Sequence, residues 1–312
     1  MTTVILMLMP VVQSLLIAAC SPLLIGIIRK LKALYQNRVG ASVMQPYRDL
    51  AKLFRKNEVI SEDASWLYRI VPYALFAIML VLGTAVPVLL PVTYGWTSDF
   101  LVVIYLLGFG AFLIALAGMD VGSAFGGFGS SRELSMNAIV EGVLLFSMLP
   151  LVIIFKSSNI GVIAIGTASL SVIAYLPVVL AFMAYLIALS VENARIPVDN
   201  PTTHLELTMI HEAMILEYSG KRLALIEWAA WSKLLFFIIL GIHLFIPWNV
   251  VASLDVAQIL RAILTLLVNI GLFAALIAFV ESTMAKFRIF RVPDMIFTGL
   301  ALGVIATVIV IL

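Results

Sequence analysis

Residues 100–118 read FLVVIYLLGFGAFLIALAG and contain no charged side chain. A helix of about 20 apolar residues is long enough to cross the ~30 Å hydrocarbon core of a bilayer. Inside lipid the backbone N–H and C=O groups must find partners within the segment itself, and a helix provides them. The stretch therefore predicts a transmembrane helix.

Apolar runs of the same kind lie on both sides of this stretch. Of the 312 residues, 63% are hydrophobic and 12% are charged, against about 45–50% and ~25% in soluble domains. We predict an all-α integral membrane protein that forms a single transmembrane domain over residues 1–312, with about eight spanning helices. The predicted spans are 4–28, 72–90, 100–118, 136–155, 172–191, 223–246, 256–280 and 295–312. The first run exceeds the apolar segment of a signal peptide, so we expect it to be retained.

The basic residues fall mainly on one side of the predicted helices. With the N-terminus placed outside, 16 of the 19 lysine and arginine residues lie in the loops after helices 1, 3, 5 and 7. The positive-inside rule makes those loops cytoplasmic. We expect a multi-pass protein of the cell inner membrane, with both termini outside and the long basic loops in the cytoplasm.

An amphipathic segment follows the first span. Residues 45–57 read QPYRDLAKLFRKN, in which Tyr47, Leu50 and Phe54 share one helical face. The remaining face carries Arg48, Lys52, Arg55 and Lys56. This pattern predicts a helix lying in the membrane interface. Such a helix serves either as a lipid anchor or as the rim of a lateral opening into the membrane.

Ionisable residues at membrane depth are the main candidates for function. Glu141, Glu192 and Lys233 fall within or at the ends of predicted spans, where a charge costs at least ~2.5–3.5 kcal/mol and needs a partner or water. Buried carboxylates and lysines shift their pKa toward neutrality, which suits a proton relay. Glu192 and Arg195 have the i, i+3 spacing of a helical ion pair. Glu227, Glu281 and His243 are interpreted as structural ions or end residues.

The second long basic-side loop, residues 192–220, is polar and titratable. It reads ENARIPVDNPTTHLELTMIHEAMILEYSG, and His204, Thr208 and His211 recur on one face of a short helix. Glu206, Glu212 and Glu217 keep the segment acidic. The spacing matches no strong zinc pattern, so a surface facing a cavity or a partner is favoured over a metal site.

Two further features argue against chemistry within the chain. The glycine-rich segment DVGSAFGGFGSSRE, residues 120–133, lacks the lysine of a phosphate-binding P-loop, so we predict close backbone packing instead. The single cysteine, Cys20, cannot hold an iron–sulfur cluster, which needs about four thiolates. We expect no catalytic residue, metal site or cofactor in this chain.

The loop motifs resemble a known family: the membrane subunit shared by respiratory complex I (subunit 1) and energy-converting group 4 nickel–iron hydrogenases. A first pattern is carried by Gln36, Arg38, Gly40, Gln45, Pro46, Asp49, Lys52, Leu53, Lys56, Glu58 and Ile60. The pattern NRxPxD is met by Asn193, Arg195, Pro197 and Asp199, and EYSG closes the loop at 217–220. The run SAFGGFGSSRE is similar to the hydrogenase-4 and formate hydrogenlyase branch, and Glu141 matches the family's glutamate on helix 4.

The resemblance implies a membrane anchor that couples cytoplasmic hydrogen chemistry to proton or sodium translocation. It implies partners of four kinds: hydrogenase large and small subunits, iron–sulfur subunits, antiporter-like membrane subunits and the lipid membrane, with no nucleic acid. The [NiFe] centre and iron–sulfur clusters would lie in those partners. The implied ion-coupling residues are Glu141, Glu192, Arg195, Asp199, His204, Glu206, Glu212 and Lys233. A partner-facing or quinone-like cavity would involve Gln36, Arg38, Arg132, Glu133 and Glu217.

Two alternatives stay open from the sequence. The first is the quinone-site subunit of a complex I-type NADH or ferredoxin dehydrogenase. Thr202 and His204 stand where this family carries acids, which weakens the case for a quinone site. The second is a free-standing secondary transporter, which the lack of an internal repeat disfavours.

Overall fold

The computed structural model describes residues 2–88, 95–167, 175–199, 209–246 and 256–312. These ranges form eleven α-helices in chain order and one short 3₁₀ turn, Ile289–Arg291. The helices are α1 (Thr2–Tyr35), α2 (Gln45–Arg55), α3 (Trp66–Gly83), α4 (Phe100–Asp120), α5 (Ala124–Phe155), α6 (Ile160–Thr167), α7 (Tyr175–Glu192), α8 (His211–Ile215), α9 (Gly220–Phe245), α10 (Val256–Thr283) and α11 (Val292–Ile311).

The helical membrane architecture predicted from the apolar runs is confirmed. Among the described residues, seven helices are long and apolar enough to span a bilayer: α1, α3, α4, α5, α9, α10 and α11. The fifth predicted span corresponds to α7, whose apolar part, Leu176–Glu192, is shorter. The amphipathic helix predicted after the first span is α2.

The predicted start of the fourth span was wrong. We placed it at residue 136, whereas α5 begins at Ala124 and takes in most of the glycine-rich segment. The segment stays helical because it packs closely between neighbours. Ser130 donates to the carbonyl of Ala115 on α4 at 2.8 Å, and a side chain at Gly126 would collide with the carbonyl of Gly118. The predicted close packing of this segment is therefore confirmed, although it occurs within a helix.

Helix α9 lies at the centre of the bundle. It packs against α1, α3, α7 and α10, while α4, α5, α7 and α11 pack together beside it. Two thirds of its apolar window is buried (67%), against 28% for α10 and α11, whose outer faces are left for lipid. Interhelical hydrogen bonds join it to α1, because Trp228 Nε1 donates to Ala18 at 2.7 Å and the Ser21 and Ser232 hydroxyls meet at 3.1 Å.

Helix α2 lies against the ends of α1 and α9 with its basic face outward. Leu50 is buried, the Tyr47 hydroxyl donates to Ala19 at 2.6 Å, and Phe54 meets Trp228 edge-on. Arg48 and Lys52 remain exposed. We call this end of the molecule, where α1, α7 and α10 finish and α2 lies, the basic end.

The EYSG motif, residues 217–220, binds the end of the second long basic-side loop to residues 58–68, which follow α2. Tyr218 stacks on Tyr68 with ring centroids 4.0 Å apart, and each tyrosine hydroxyl donates to a backbone carbonyl beside the other ring. Ser219 bonds both backbone groups of Val59, and Arg222 pairs with Glu58. The loop after α1 and the start of α9 therefore form one rigid unit.

Candidate ion-coupling site

The loop that follows α7, described over residues 193–199 and 209–210, enters the helix bundle. We call it the inserted loop. Glu192, the last residue of α7, contacts Lys233, which lies 13 residues into α9 beyond Gly220. At 1.5 Å per residue, that contact is about 20 Å from the start of α9. Ile196, Val198 and Asp199 are all buried. Helix α7 ends at Glu192, where this loop begins.

The inserted loop encloses a cavity of about 120 Å³, which is room for a few water molecules at ~30 Å³ each. Apolar residues of α3, α4 and α9 form much of its wall. Its ionisable lining consists of Glu133, Glu192, Arg195, Asp199, His211, Glu212, Glu227 and Lys233. Five carboxylates against one lysine and one arginine make the cavity a concentrated acidic site.

The ion pair between Lys233 and Glu192 lies at the inner wall. Lys233 Nζ is 2.6 Å from Glu192 Oε2, and the Glu192 side chain is 1% exposed. The second oxygen, Oε1, has no hydrogen-bond partner among the described residues. Glu192 is therefore a buried carboxylate with one oxygen paired and the other open.

Asp199 organises the far end of the inserted loop. One carboxylate oxygen is 2.7 Å from Lys286 Nζ, and the other accepts the backbone N–H groups of Ile210 and His211 at 3.1 and 3.3 Å. These bonds satisfy backbone donors at the start of α8. Asp199 thereby ties α8 to the linker that follows α10.

Arg195 does not pair with Glu192, so the i, i+3 pairing expected from the sequence was wrong. Arg195 Nη1 lies 3.1 Å from Glu281 Oε1, and Lys32 Nζ lies 3.3 Å from Glu281 Oε2. The helix ends at Glu192, and Ala194 adopts a left-handed φ of +47°, so the helical spacing no longer applies beyond it. The turn directs Arg195 to α10 instead.

Glu141 lies outside this cavity but is linked to it. The Asn137 side-chain amide donates to Glu141 Oε1 at 2.8 Å. Asn137 also lines a smaller pocket, of about 10 Å³, together with Glu133, Glu192 and Asp199. Asn137 therefore stands between Glu141 and the acidic cavity.

On α8, the pKa of Glu212 lies close to neutral pH, whereas the pKa of its neighbour His211 lies well below it. Burial, then the charges of Glu227 and Asp199, raises the pKa of Glu212 to about 7. Burial, then the positive charge of Lys233, lowers the pKa of His211 to about 4. At neutral pH His211 is uncharged and Glu212 exchanges its proton readily.

The structure gathers part of the predicted site and leaves part of it elsewhere. Glu192, Arg195, Asp199, Glu212, Lys233 and Glu133 line the cavity. Gln36, Arg38 and Glu217 are exposed at the basic end, and Arg132 instead donates to the carbonyl of Met209 at 3.1 Å. His204 and Glu206 lie outside the described residues, as do Thr202 and Thr208.

Sequence reasoning missed two lining residues, His211 and Glu227. The sequence places His211 on a polar helix face outside the predicted site and predicts a structural role for Glu227. Helical spacing gave no signal for Glu227, because six residues at about 100° each place it about 120° around α9 from Lys233. In the part of the chain that the structure describes, no three His, Cys, Asp or Glu residues form a metal-binding group.

Comparison with known proteins identifies the family. The model of the NADH dehydrogenase family matches residues 6–312. Hydrogenase-4 component C of Escherichia coli (strain K12) is 33% identical, over 95% of this chain and 93% of its own length. Formate hydrogenlyase subunit 4 of the same organism is 31% identical, over 96% and 97%.

More distant matches agree with the fold. An NADH-quinone oxidoreductase subunit of Geobacter sulfurreducens is 32% identical over 61% of this chain and 60% of its own length. A chain from the structure of the membrane-bound sulfane sulfur reductase, an archaeal respiratory membrane complex, superposes with a TM-score of 0.83 at 22% identity, covering 98% of this chain and 99% of that one. The resemblance carried by the loop motifs is thus confirmed, and the chain belongs to the NADH dehydrogenase family, with full-length similarity to its hydrogenase-type members.

Proposed function

We propose that this chain is the membrane anchor and coupling subunit of a group 4 [NiFe]-hydrogenase complex. The observation that carries the proposal is the extent of similarity. The two hydrogenase-type relatives match over 93% and 97% of their own length, whereas five NADH-quinone oxidoreductase relatives match over 58–73% of theirs. The chain itself acts as a non-redox subunit of an oxidoreductase complex.

The acidic cavity supports the coupling role. Charges in a water-poor interior interact more strongly than in bulk solvent, because the effective dielectric is lower. A charge or shape change at the basic end therefore alters which carboxylates of the inserted loop hold protons. The Glu192–Lys233 pair, with its open Oε1 atom, passes that change toward Asn137 and Glu141. Antiporter-like partner subunits then move the ion.

Redox chemistry belongs to partner subunits in this proposal. The [NiFe] centre lies in the hydrogenase large subunit, and the clusters lie in the small and iron–sulfur subunits. These partners dock on the basic end, where the joined loops expose the apolar residues Val39, Val59 and Leu216 among charged neighbours. The complex lies in the cell inner membrane, with the basic end in the cytoplasm and both termini outside.

The proposal is tested by purifying the affinity-tagged chain from its native membranes in a mild detergent. We expect a nickel-containing large subunit and iron–sulfur proteins to co-purify in fixed ratio, measured by metal analysis and mass spectrometry. A chain recovered alone, monodisperse and stable, would contradict the proposal.

A second candidate is the quinone-site subunit of a complex I-type dehydrogenase. The apolar wall of the acidic cavity, formed by residues such as Leu107, Ile114 and Leu234, and the 32% identity to the NADH-quinone oxidoreductase relative support it. Recovery of a flavin and NADH-oxidising module with the tagged chain would favour this candidate. Hydrogen evolution by the purified complex without added quinone would favour the first.

The coupling role predicts a specific phenotype for Glu192→Gln. The change keeps the size of the side chain but removes the ability to take up and release a proton. In membrane vesicles we expect hydrogen turnover to stay within about twofold, because the redox centres are in partner subunits. Ion uptake per hydrogen should fall at least about tenfold, because a proton-transfer group typically contributes about 10²–10⁴-fold.

Glu62→Gln, at an exposed position of the loop between α2 and α3, is the matched control and should leave both rates unchanged. Equal ion-to-hydrogen ratios in the natural chain and the Glu192→Gln variant would remove Glu192 from the coupling path.

A further inference from the structure

A cleft separates α7 from α10 near the basic end. Its volume is about 180 Å³. Leu186, Leu189 and Ser190 form one wall, and Phe273, Leu276, Ile277 and Val280 form the other. Leu276 is 46% exposed, so the cleft opens toward the surface that faces lipid. It shares Arg195 with the acidic cavity, but its other lining residues are different, and the coupling role makes no use of them.

The walls of the cleft suit a flexible aliphatic chain, because seven of the nine lining residues are apolar. The Ser190 hydroxyl is already bonded to the carbonyl of Leu186 at 2.9 Å, so the wall offers an occupant mainly apolar contacts. A void of this kind loses dispersion contacts unless a chain fills it.

The end of the cleft at the basic end is positively charged. Arg195 lines it and shares the carboxylate of Glu281 with Lys32. The backbone N–H of Phe287 donates to the carbonyl of Pro197 at 2.8 Å, which brings the linker after α10 beside the loop. Arg288, the next residue, is exposed. Arg195 and Lys32 therefore share a single carboxylate, and Arg288 follows the residue whose N–H contacts the loop after α7.

We propose that the cleft between α7 and α10 is a binding site for one anionic phospholipid, with an acyl chain between the two helices and the phosphate at the rim formed by Arg195, Lys32 and Arg288. The apolar walls select an aliphatic chain, and the excess of positive charge selects an anionic headgroup. The bound lipid fills the gap between α10 and α7 and neutralises the cations that Glu281 leaves unbalanced.

The test measures lipid retained by the purified membrane protein. The chain, with the subunits that co-purify, is stripped of lipid and incubated with phosphatidylglycerol or phosphatidylcholine, and native mass spectrometry counts the bound molecules. We expect one phosphatidylglycerol per chain, retained at least tenfold over phosphatidylcholine. Leu276→Trp, which fills the mouth of the cleft, should reduce retention at least fivefold.

Leu272→Trp is the matched control, because Leu272 lies one turn earlier on the same helix, is 61% exposed and does not line the cleft. It should retain lipid as the natural chain does. Arg288→Gln, at an exposed position, tests the rim without touching an ion pair of the inserted loop, and it should reduce the preference for phosphatidylglycerol at least threefold.

Three results would overturn the proposal. The first is equal retention by the Leu276→Trp and Leu272→Trp variants. The second is retention by the natural chain without preference between the two lipids. The third is recovery of an uncharged isoprenoid, rather than a phospholipid, in the material purified without stripping. Thermal unfolding of each variant confirms that the comparison is made on folded protein.

Discussion

Lys233 is held in the middle of a transmembrane helix by one buried carboxylate, and that dependence can be measured. Lys233→Met leaves Glu192, 1% exposed, as an uncompensated buried charge, which costs about 3–5 kcal/mol when a buried pair is broken. The double variant Lys233→Met with Glu192→Gln removes both charges and should recover at least half of that loss. Thermal or denaturant unfolding in detergent measures each step. Equal loss in the single and double variants would show that the two residues do not stabilise each other.

Glu212 and His211 give the molecule opposing pH dependences. The pKa of Glu212 is raised to about 7, so the folded state binds the extra proton and this group lowers stability as pH rises toward 7. The pKa of His211 is lowered to about 4, so this group raises stability as pH rises from about 4 to 6.5. Glu212→Gln removes the first effect and should steepen the rise of the unfolding temperature between pH 5 and pH 7.

Glu217→Gln, at an exposed position five residues further on, should leave that slope unchanged. A slope that is the same in the natural chain and the Glu212→Gln variant would mean that Glu212 does not titrate in the cavity. The comparison of the Glu212→Gln and Glu217→Gln variants therefore tests the electrostatics of the inserted loop independently of hydrogenase activity.

The close approach of α5 to α8 is the element-level feature on which the site depends. A side chain at Gly129 would meet the carbonyl of Ile210 at 2.7 Å and the Ala213 methyl group at 2.9 Å, whereas one at Gly127 would meet nothing within 4 Å. Gly129→Leu should displace α8, with its His211 and Glu212, and cost about 1–3 kcal/mol through overpacking. Gly127→Leu should be neutral or slightly stabilising, because glycine loses more backbone entropy in a helix. Similar unfolding temperatures for the two variants would contradict this packing.

The orientation of the whole molecule can be tested with single cysteines. In a Cys20→Ser background, Glu62→Cys places a thiol at the basic end and Trp96→Cys, where Trp96 is 68% exposed, places one at the opposite end. With intact cells, a membrane-impermeant maleimide should label the second and reach the first only after lysis, because the basic loops stay in the cytoplasm. Labelling in the reverse order would invert the proposed topology.

Predictability differed between features of this chain. The spans over 100–118 and 256–280 were predicted to within a few residues of α4 and α10. An isolated apolar run in lipid can satisfy its backbone hydrogen bonds within itself only by forming a helix. The start of α5 was missed by twelve residues. Its first turns contain glycine and serine, whose low helix propensity is overridden by packing against Gly118 and Ala213.

The sequence by itself determined the fold class, the basic end and the family, since each depends on composition or on motifs contiguous in the chain. Only the tertiary structure decided which charges meet. Glu192 pairs with Lys233 on another helix rather than with Arg195 three residues away. The reason is physical: α7 ends at Glu192 and the loop turns inward there. A turn of this kind is fixed by the space that surrounding helices leave, which local spacing does not encode.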